Sequence, residues 1–145
     1  MNTPALAMRD NIVQLEALIL AAPQLDVPLE HRFLPGVYVR SAACIPAGTI
    51  FTSRIHKSEH FCFIVSGELT LATEEGSERI VGPCFIHAMP GTKRAAVCHT
   101  DVCWINIHPN PTNETDVSRI EDLLVTDDFE DPELLAIIER VRAIA

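Results

Sequence analysis

The sequence predicts an all-β domain, a small antiparallel barrel or sandwich with a helix before it and helices after it. Between residues 36 and 108, short runs rich in β-branched and aromatic residues are separated by Gly and Pro. About eight strands joined by short turns fit into this stretch, as in antiparallel barrels and sandwiches. An α/β sheet would need helical patterns of about 10 to 15 residues between the strands, and the sequence has none there.

The size and composition of the chain fit one domain. Its 145 residues are enough to bury a core, and 48% of them are hydrophobic. No apolar run reaches the roughly 18 residues of a membrane span, and charged residues interrupt the N-terminal segment, unlike a signal peptide. We therefore expect a single cytoplasmic domain, with a helix and connector in residues 1–35, the barrel in 36–108, and a linker with C-terminal helices in 109–145.

The chain is acidic, with a formal net charge of −9. Nucleic-acid binding requires clustered Lys and Arg to neutralise phosphates, so we expect no nucleic-acid partner, and no membrane partner either. The five cysteines form no CxxC pair. In a cytosolic chain we expect them to be reduced and to pack as small apolar side chains.

The N-terminal segment predicts an amphipathic helix over residues 8–21, ended by Pro23, and an extended connector over residues 24–35. The apolar stripe that predicts the helix consists of Met8, Ile12, Leu15 and Ile19.

The barrel strands follow from β-rich runs between turn residues. We expect strands at residues 37–45, 49–56, 60–65, 68–73, 78–81, 84–88, 93–98 and 102–108. The last two are expected to form a hairpin across Thr100 and Asp101.

The C-terminal segment predicts a short helix over residues 117–124 and a second helix that begins at Asp131. Asp131 is suited to cap that helix, because Pro132 follows at the first helical position. Both end helices carry apolar stripes, which must pack on the barrel or on a second subunit.

The best candidate for chemistry is the stretch from Gly48 to Gly67. It reads as two strands around a tight turn, with His56 and His60 on either side of that turn. Alternate residues of a strand face the same side, so Arg54 and His56 are expected to share one face. Clustered imidazoles can hold a divalent metal ion.

The spacing of this stretch resembles the first motif of the cupin superfamily, G-x5-H-x-H-x3-E-x6-G. Gly48, Arg54, His56, His60 and Gly67 occupy its slots with every spacing intact. Arg54 stands where the motif has its first histidine, and His60 stands where the motif has glutamate.

The second cupin motif, G-x5-P-x-G-x2-H-x3-N, is matched more loosely from Gly82 to Cys98. With Gly91 as its inner glycine, Arg94 falls in the histidine slot and Cys98 in the asparagine slot. The gap after Gly82 is one residue longer than in the motif.

The cupin resemblance implies a jelly-roll barrel with a divalent transition metal (Zn, Ni, Fe or Mn) in its mouth. His56 and His60 are the matching ligands. The third is expected to be His99, turned inward by a bulge, or Cys98, which faces inward without one. His87 and His108 are less favoured as ligands, because nothing in the sequence ties them to the same end of the barrel.

The two substituted slots change the charge of the predicted pocket. Arg54 and Arg94 add positive charge where a negative ligand is lost, so the pocket is suited to a small carboxylate or phosphate. Cys62 and Cys98 are expected beside them in this ligand-binding set. For each arginine the alternative is an ordinary ion pair with a nearby carboxylate.

A rival motif is excluded. Residues 56–60 also spell H-x-x-E-H, a zinc-protease signature that requires a helix. The flanking residues have strand composition, which does not place both histidines on one helical face.

Three functions remain open at this level. The first is a cupin-like protein with a histidine-based metal site and a pocket for a small anion. The second is a metal-dependent enzyme, of the dioxygenase, isomerase or lyase type, acting on a small oxygenated substrate. The third is a metal-free structural or accessory protein, because the runs IHKSEH, PGTKRA, HTD and TNETD resemble small cupin-like proteins of tailed phages and prophages. A homodimer is expected in each case.

Overall fold

In the computed structural model, which describes residues 3–144, the chain folds into two main antiparallel sheets with helices at both ends. The elements are α1 (Pro4–Leu20), β1 (Glu30–Leu34), β2 (Gly36–Ile45), β3 (Ile50–Thr52), β4 (Ile55–His56), β5 (His60–Ser66), β6 (Glu68–Thr73), β7 (Gly76–Val81), β8 (Cys84–Ala88), β9 (Ala95–Cys98), β10 (Val102–Asn110), α2 (Val117–Leu124), β11 (Val125–Thr126) and α3 (Pro132–Ile144).

The strands are not paired in chain order. The larger sheet has the order β1-β2-β10-β5-β8, the smaller has the order β3-β9-β6-β7, and β11 pairs with β4 on its own. The chain therefore crosses repeatedly between two facing sheets, as in a jelly roll. Within residues 3–144 no strand pair joins the two main sheets, so the architecture is an open sandwich and not one closed ladder.

The core lies between the two sheets, where alternate residues of each strand point inward. In β5, Cys62 and Ile64 are fully buried while Phe61 is half exposed. The main cluster consists of Ala42, Ile45, Cys62, Ile64, Leu69, Leu71, Ile80, Ala96, Cys98, Val102 and Trp104.

The cysteines are all free thiols. Cys62 and Cys98 pack in the core as expected, whereas Cys84 and Cys103 are half-buried and Cys44 is exposed. The expectation that each of the five is a buried apolar residue is therefore wrong for Cys44.

Helix α1 begins earlier than its stripe predicts. The Thr3 hydroxyl accepts a hydrogen bond from the Leu6 backbone N–H at 3.2 Å, and Pro4 occupies the first helical position. The helix is fastened to the sheets at its middle, where Ile12 is buried and the Lys93 ammonium lies 2.6 Å from the Glu16 carboxylate. Its C-terminal end projects further, since Leu18 is 71% exposed.

The C-terminal helices fold back onto the strand that carries His56. Asp131 caps α3 as predicted, accepting hydrogen bonds from the Glu133 and Leu134 N–H groups. The short strand β11, which the sequence did not predict, pairs with β4. Buried Lys57 reinforces this contact, because its ammonium donates to the Asp122 carbonyl at 2.7 Å.

Three strand predictions are corrected. Residues 30–34, expected within a connector, form β1 and pair with β2. The strand expected over residues 49–56 is interrupted at Ser53 and Arg54. The expected hairpin of the last two strands does not form, because β9 pairs with β3 and β6 whereas β10 pairs with β2 and β5.

None of the helices in the described part of the chain is both long and apolar enough to cross a lipid bilayer.

Candidate functional site

Three imidazoles meet inside the sandwich. His56 from β4, His60 from the start of β5 and His108 from β10 are each only 4 to 5% exposed. The ring centroid of His60 lies 4.5 Å from that of His56 and 4.4 Å from that of His108. The strands bring the three rings together because all three residues occupy inward-facing positions.

Tyr38 lies behind His108 and connects the cluster to the C-terminal segment. Its ring stacks on His108 at a centroid distance of 5.9 Å and packs against Ile120 and Leu124 of α2. Its hydroxyl is 2.6 Å from Nδ1 of His31. The position of His108 is thus fixed by a packed aromatic neighbour.

Two ring nitrogens of the histidine cluster are buried without a hydrogen-bond partner. Nδ1 of His60 lies 3.0 Å from the Ser58 carbonyl oxygen, so it carries the proton, because a carbonyl oxygen only accepts. Nε2 of His60 is then a lone-pair acceptor, and it is buried without a partner. Nδ1 of His108 is also buried and unpaired.

All three imidazoles are neutral at neutral pH. Burial, reinforced by the neighbouring His60 and by Arg94, lowers the pKa of His56 to about 2. Burial lowers the pKa of His60 to about 4, and Arg94 adds to this effect. Burial and the proximity of His60 lower the pKa of His108 to about 3. The cluster therefore offers polar groups without adding charge.

Arg94 supplies the positive charge of the site. It is 3% exposed, and its backbone N–H is held by the Ser53 hydroxyl at 2.9 Å. Its guanidinium carbon lies 6.0 Å from the centroid of the Trp104 ring, and its Nη2 is buried without a hydrogen-bond partner. No ion pair among the described residues involves Arg94. Burial lowers the pKa of this guanidinium, which nevertheless stays charged.

Asn106 organises the polar residues next to Arg94. Its Oδ1 accepts from the Trp104 indole N–H at 2.8 Å and from the Cys62 thiol at 3.0 Å. Burial raises the pKa of Cys62, so this residue is present as a thiol that donates a hydrogen bond, not as a thiolate. Asn106 was not among the predicted site residues, although Trp104, Asn106 and His108 alternate along one face of the same strand.

Two of the predicted site residues are not part of the histidine cluster. The Arg54 side chain is 44% exposed and forms a two-bond ion pair with Asp127, at 2.9 and 3.2 Å. For Arg54, therefore, the structure shows the alternative considered from the sequence, an ordinary ion pair with a nearby carboxylate. His99 is exposed and its Nε2 lies 2.7 Å from the Thr70 hydroxyl, so no bulge turns it toward His56 and His60.

Of the other ligand candidates, Cys98 and His87 lie outside the histidine cluster and His108 lies within it. Cys98 lies in the apolar core cluster, where burial raises its pKa. His87 is outside and pairs with Glu59 at 3.1 Å. His108, a less favoured candidate, lies beside His56 and His60 in the place predicted for His99.

The side chains do not fit a divalent metal ion as they lie. Within residues 3–144 no group of three His, Cys, Asp or Glu side chains is arranged to hold one. The rings of His56 and His108 are nearly parallel and stack, with an interplanar angle of 18° and a centroid distance of 6.0 Å. The fixed charge of Arg94 further opposes a bare cation.

A cavity of about 990 Å³ opens onto this cluster. Arg94, His56 and Asn106 line it together with Trp104 and Phe51, and so do the ion-paired Arg40, Arg54 and Glu16. A second cavity of about 580 Å³, between the open edges of the two sheets, also reaches Arg94. The guanidinium is therefore buried from bulk water but adjoins space that a ligand could fill.

No protein-family model and no curated protein matches the sequence. Among solved structures, the chain is similar to a cupin 2 conserved barrel domain protein from Leptotrichia buccalis, with 10% identity and a TM-score of 0.52 over 68% of this chain and 47% of that one. It is also similar to a cupin superfamily protein from Desulfitobacterium hafniense, with 11% identity and a TM-score of 0.50 over 61% and 81% of the two chains. The chain thus spans about half the length of the first protein. These likenesses show a cupin fold.

Proposed function

We propose that this cupin-fold protein binds a small organic anion, with a carboxylate as its charged group, beside Arg94 and His56, the member of the histidine cluster that lines the cavity. The observation that carries the proposal is the buried guanidinium of Arg94, which has no carboxylate partner and an unpaired Nη2. A buried unpaired charge costs several kcal/mol, roughly, even after relaxation. A bound anion offsets that cost, and a guanidinium grips a carboxylate through two parallel hydrogen bonds.

The histidines support an oxygenated ligand. His56 lines the cavity next to Arg94, and behind it His60 and His108 each keep a buried, unpaired ring nitrogen. All three rings are neutral. Arg40, Arg54 and Glu16 also line the cavity, but each has an ion-pair partner, so Arg94 carries the one unpaired charge among the described lining residues and the site matches a monoanion best. A hydroxyl or a second polar oxygen on the ligand would lie next to the imidazole of His56.

The proposal is binding and not catalysis. The Cys62 thiol beside Arg94 donates a hydrogen bond to Asn106, and burial raises its pKa. A cysteine that acts as a nucleophile needs a lowered pKa, because the thiolate is the reactive form.

The test is a titration of the ligand-free protein with propionate, lactate and phosphate, by calorimetry and by the fluorescence of Trp104, the single tryptophan. Arg94→Met should weaken carboxylate binding by about tenfold or more, since a charge-assisted hydrogen bond contributes about 1.5–3 kcal/mol. This variant should fold, because it replaces a buried charge by an apolar side chain of similar length. The control is Arg79→Met, which removes an exposed arginine paired with Glu68. Equal affinities in wild type and Arg94→Met would refute the proposal.

The two alternatives predict different results. If the protein is a metal-dependent enzyme, protein purified without chelator or nickel resin should contain about one equivalent of Zn, Ni, Fe or Mn, and His60→Ala should lose it. Our proposal predicts less than about a tenth of an equivalent of metal in the wild type. A structural or accessory protein of phage origin predicts neither metal nor anion binding. That origin stays a prediction, which the neighbouring genes of the encoding genome would test.

A further inference from the structure

The cavity above Arg94 is far larger than a small carboxylate requires, and most of its lining is apolar. We infer that the ligand is a monocarboxylate with an apolar body of roughly six to ten carbons, the size class that clefts of this volume enclose. This inference rests on the anion site proposed above, and it names the class of ligand that the site takes.

The cavity has two chemically different ends. The polar part of the lining includes Arg94, His56 and Asn106, together with the ion-paired Arg40 and Arg54 and with Glu16 of α1. The sheet side of the apolar end is formed by Ala42, Ile45, Phe51 and Trp104. The opposite wall, formed by α1 and the segment that follows it, consists of Leu15, Leu18, Ile19, Leu20, Leu25, Val27 and Leu29. A charged group at the bottom and apolar walls above it match an amphipathic anion.

The leucines at the mouth of the cavity are left exposed. Leu18 is 71% exposed, Leu20 69% and Leu25 58%, all within one wall of the same cavity. Scattered exposed leucines are ordinary, but several gathered at one cleft mark a binding surface. An apolar ligand body would remove them from water at about 25 cal/mol per Å², while its carboxylate reaches Arg94.

The wall is fixed in place, so the cavity exists without the ligand. The Glu16 carboxylate of α1 accepts hydrogen bonds from the Lys93 ammonium at 2.6 Å and from the Thr52 hydroxyl at 2.9 Å. The Gln24 side chain donates to the carbonyls of Ile19 and Ala22, which ties the following segment to the helix end. A preformed apolar wall avoids the entropic cost of ordering it on binding.

The inference is tested with a series of straight-chain carboxylates, from acetate through butanoate, hexanoate and octanoate to decanoate, and with octanol as the uncharged counterpart. Affinity should rise about two- to fourfold per added methylene before it levels off. Arg94→Met should weaken octanoate binding by about tenfold or more. Octanol should bind wild type more weakly than octanoate does.

The wall is tested with Leu25→Asp, a substitution at an exposed position that the fold should tolerate. It should weaken octanoate at least about fivefold while leaving acetate nearly unchanged, because only the longer chain reaches the wall. The matched control is Leu135→Asp on α3, an exposed leucine that does not line the cavity.

The outcomes separate the two proposals. Binding of every carboxylate with equal affinity, lost in Arg94→Met, would keep the anion site and overturn the apolar-body inference. Affinity that rises with chain length but is equal for octanoate and octanol, and unchanged in Arg94→Met, would overturn both. So would the absence of any binding.

Discussion

Neutral imidazoles and a charged guanidinium share one buried space in this protein, and their protonation depends on that arrangement. Burial keeps His56, His60 and His108 uncharged, and Arg94 adds to the effect at each of them. Protonating any of the three would place a second positive charge beside Arg94. The cluster therefore links the stability of the fold to pH.

We expect the protein to lose stability steeply as the pH falls from about 6.5 toward 4. The pKa values of the three histidines in the folded state lie at about 2 to 4, below the usual 6.5. Below pH 6.5 the unfolded chain takes up protons that the folded chain does not, so the free energy of unfolding falls. Each histidine contributes up to about 1.4 kcal/mol per pH unit. Urea titrations at pH 7.0, 6.0 and 5.0 measure the slope.

The matched variants are His108→Leu, which removes one of the three groups, and His87→Gln, which replaces a half-exposed imidazole outside the cluster. The first should reduce the slope by roughly a third, and the second should leave it almost unchanged. A slope that is the same in wild type and His108→Leu would contradict the assignment of His108 to the neutral cluster.

Sequence reasoning identified two of the three histidines, and the reason is physical. His56 and His60 are close in the chain, and a turn between strands brings them together whatever the rest of the fold does. His108 reaches them only because β10 pairs with β5, with Ile107 opposite Phe61. Long-range register of this kind is not carried by a local pattern. His99 was chosen instead because it lies near a motif slot.

Among the elements, the glycine that ends the first motif marks a close approach of two strands. Gly67 has φ +102°, and a Cβ there would overlap the Asp101 carbonyl oxygen and come within 2.8 Å of the Val102 Cα. These are backbone atoms, which do not move aside cheaply. The spacing of the motif thus reflects a packing requirement between β5 and β10, as well as the position of the histidines.

Gly67→Ala should lower the free energy of unfolding by about 3 kcal/mol or more, because strain in the backbone adds to the steric overlap. Gly48→Ala is the matched control at the other end of the motif. It also has positive φ, +84°, but nothing lies within 4 Å of its added Cβ, so about 1 kcal/mol is expected. Denaturant unfolding of both variants measures the difference. Equal losses would show that close packing at Gly67 is unimportant.

The positions of the strands along the chain were easier to predict than which strands pair with each other. Alternation and turn residues located β2, β5, β6 and β8 to within a residue at either end. The chain order wrongly suggested that the last two strands form a hairpin, whereas β9 and β10 belong to different sheets. A short turn is compatible with either connection, so local sequence does not distinguish a hairpin from a step between sheets.

On the scale of the whole molecule, the outer face of the larger sheet is an apolar surface that its own chain leaves uncovered. Phe61 is 50% exposed and Phe85 67%, and the Phe63 ring stacks on Phe85 at 4.6 Å. Ile105 and Ile107 of β10 lie opposite Phe63 and Phe61 on the same face. Exposed patches of this kind mark interaction sites.

We expect this face to form the homodimer interface, because a two-fold interface pairs one patch with its own copy and a contiguous aromatic patch is self-complementary. Sedimentation equilibrium at high micromolar concentration should show a dimer for wild type and a monomer for Phe85→Glu, which buries a charge at the centre of the contact. The end helices offered another surface for the dimer. Leu135→Glu, on the exposed face of α3, tests it and should remain dimeric. A monomeric wild type would contradict the dimer itself. A dimer that Leu135→Glu breaks and Phe85→Glu preserves would place the interface on the helices instead.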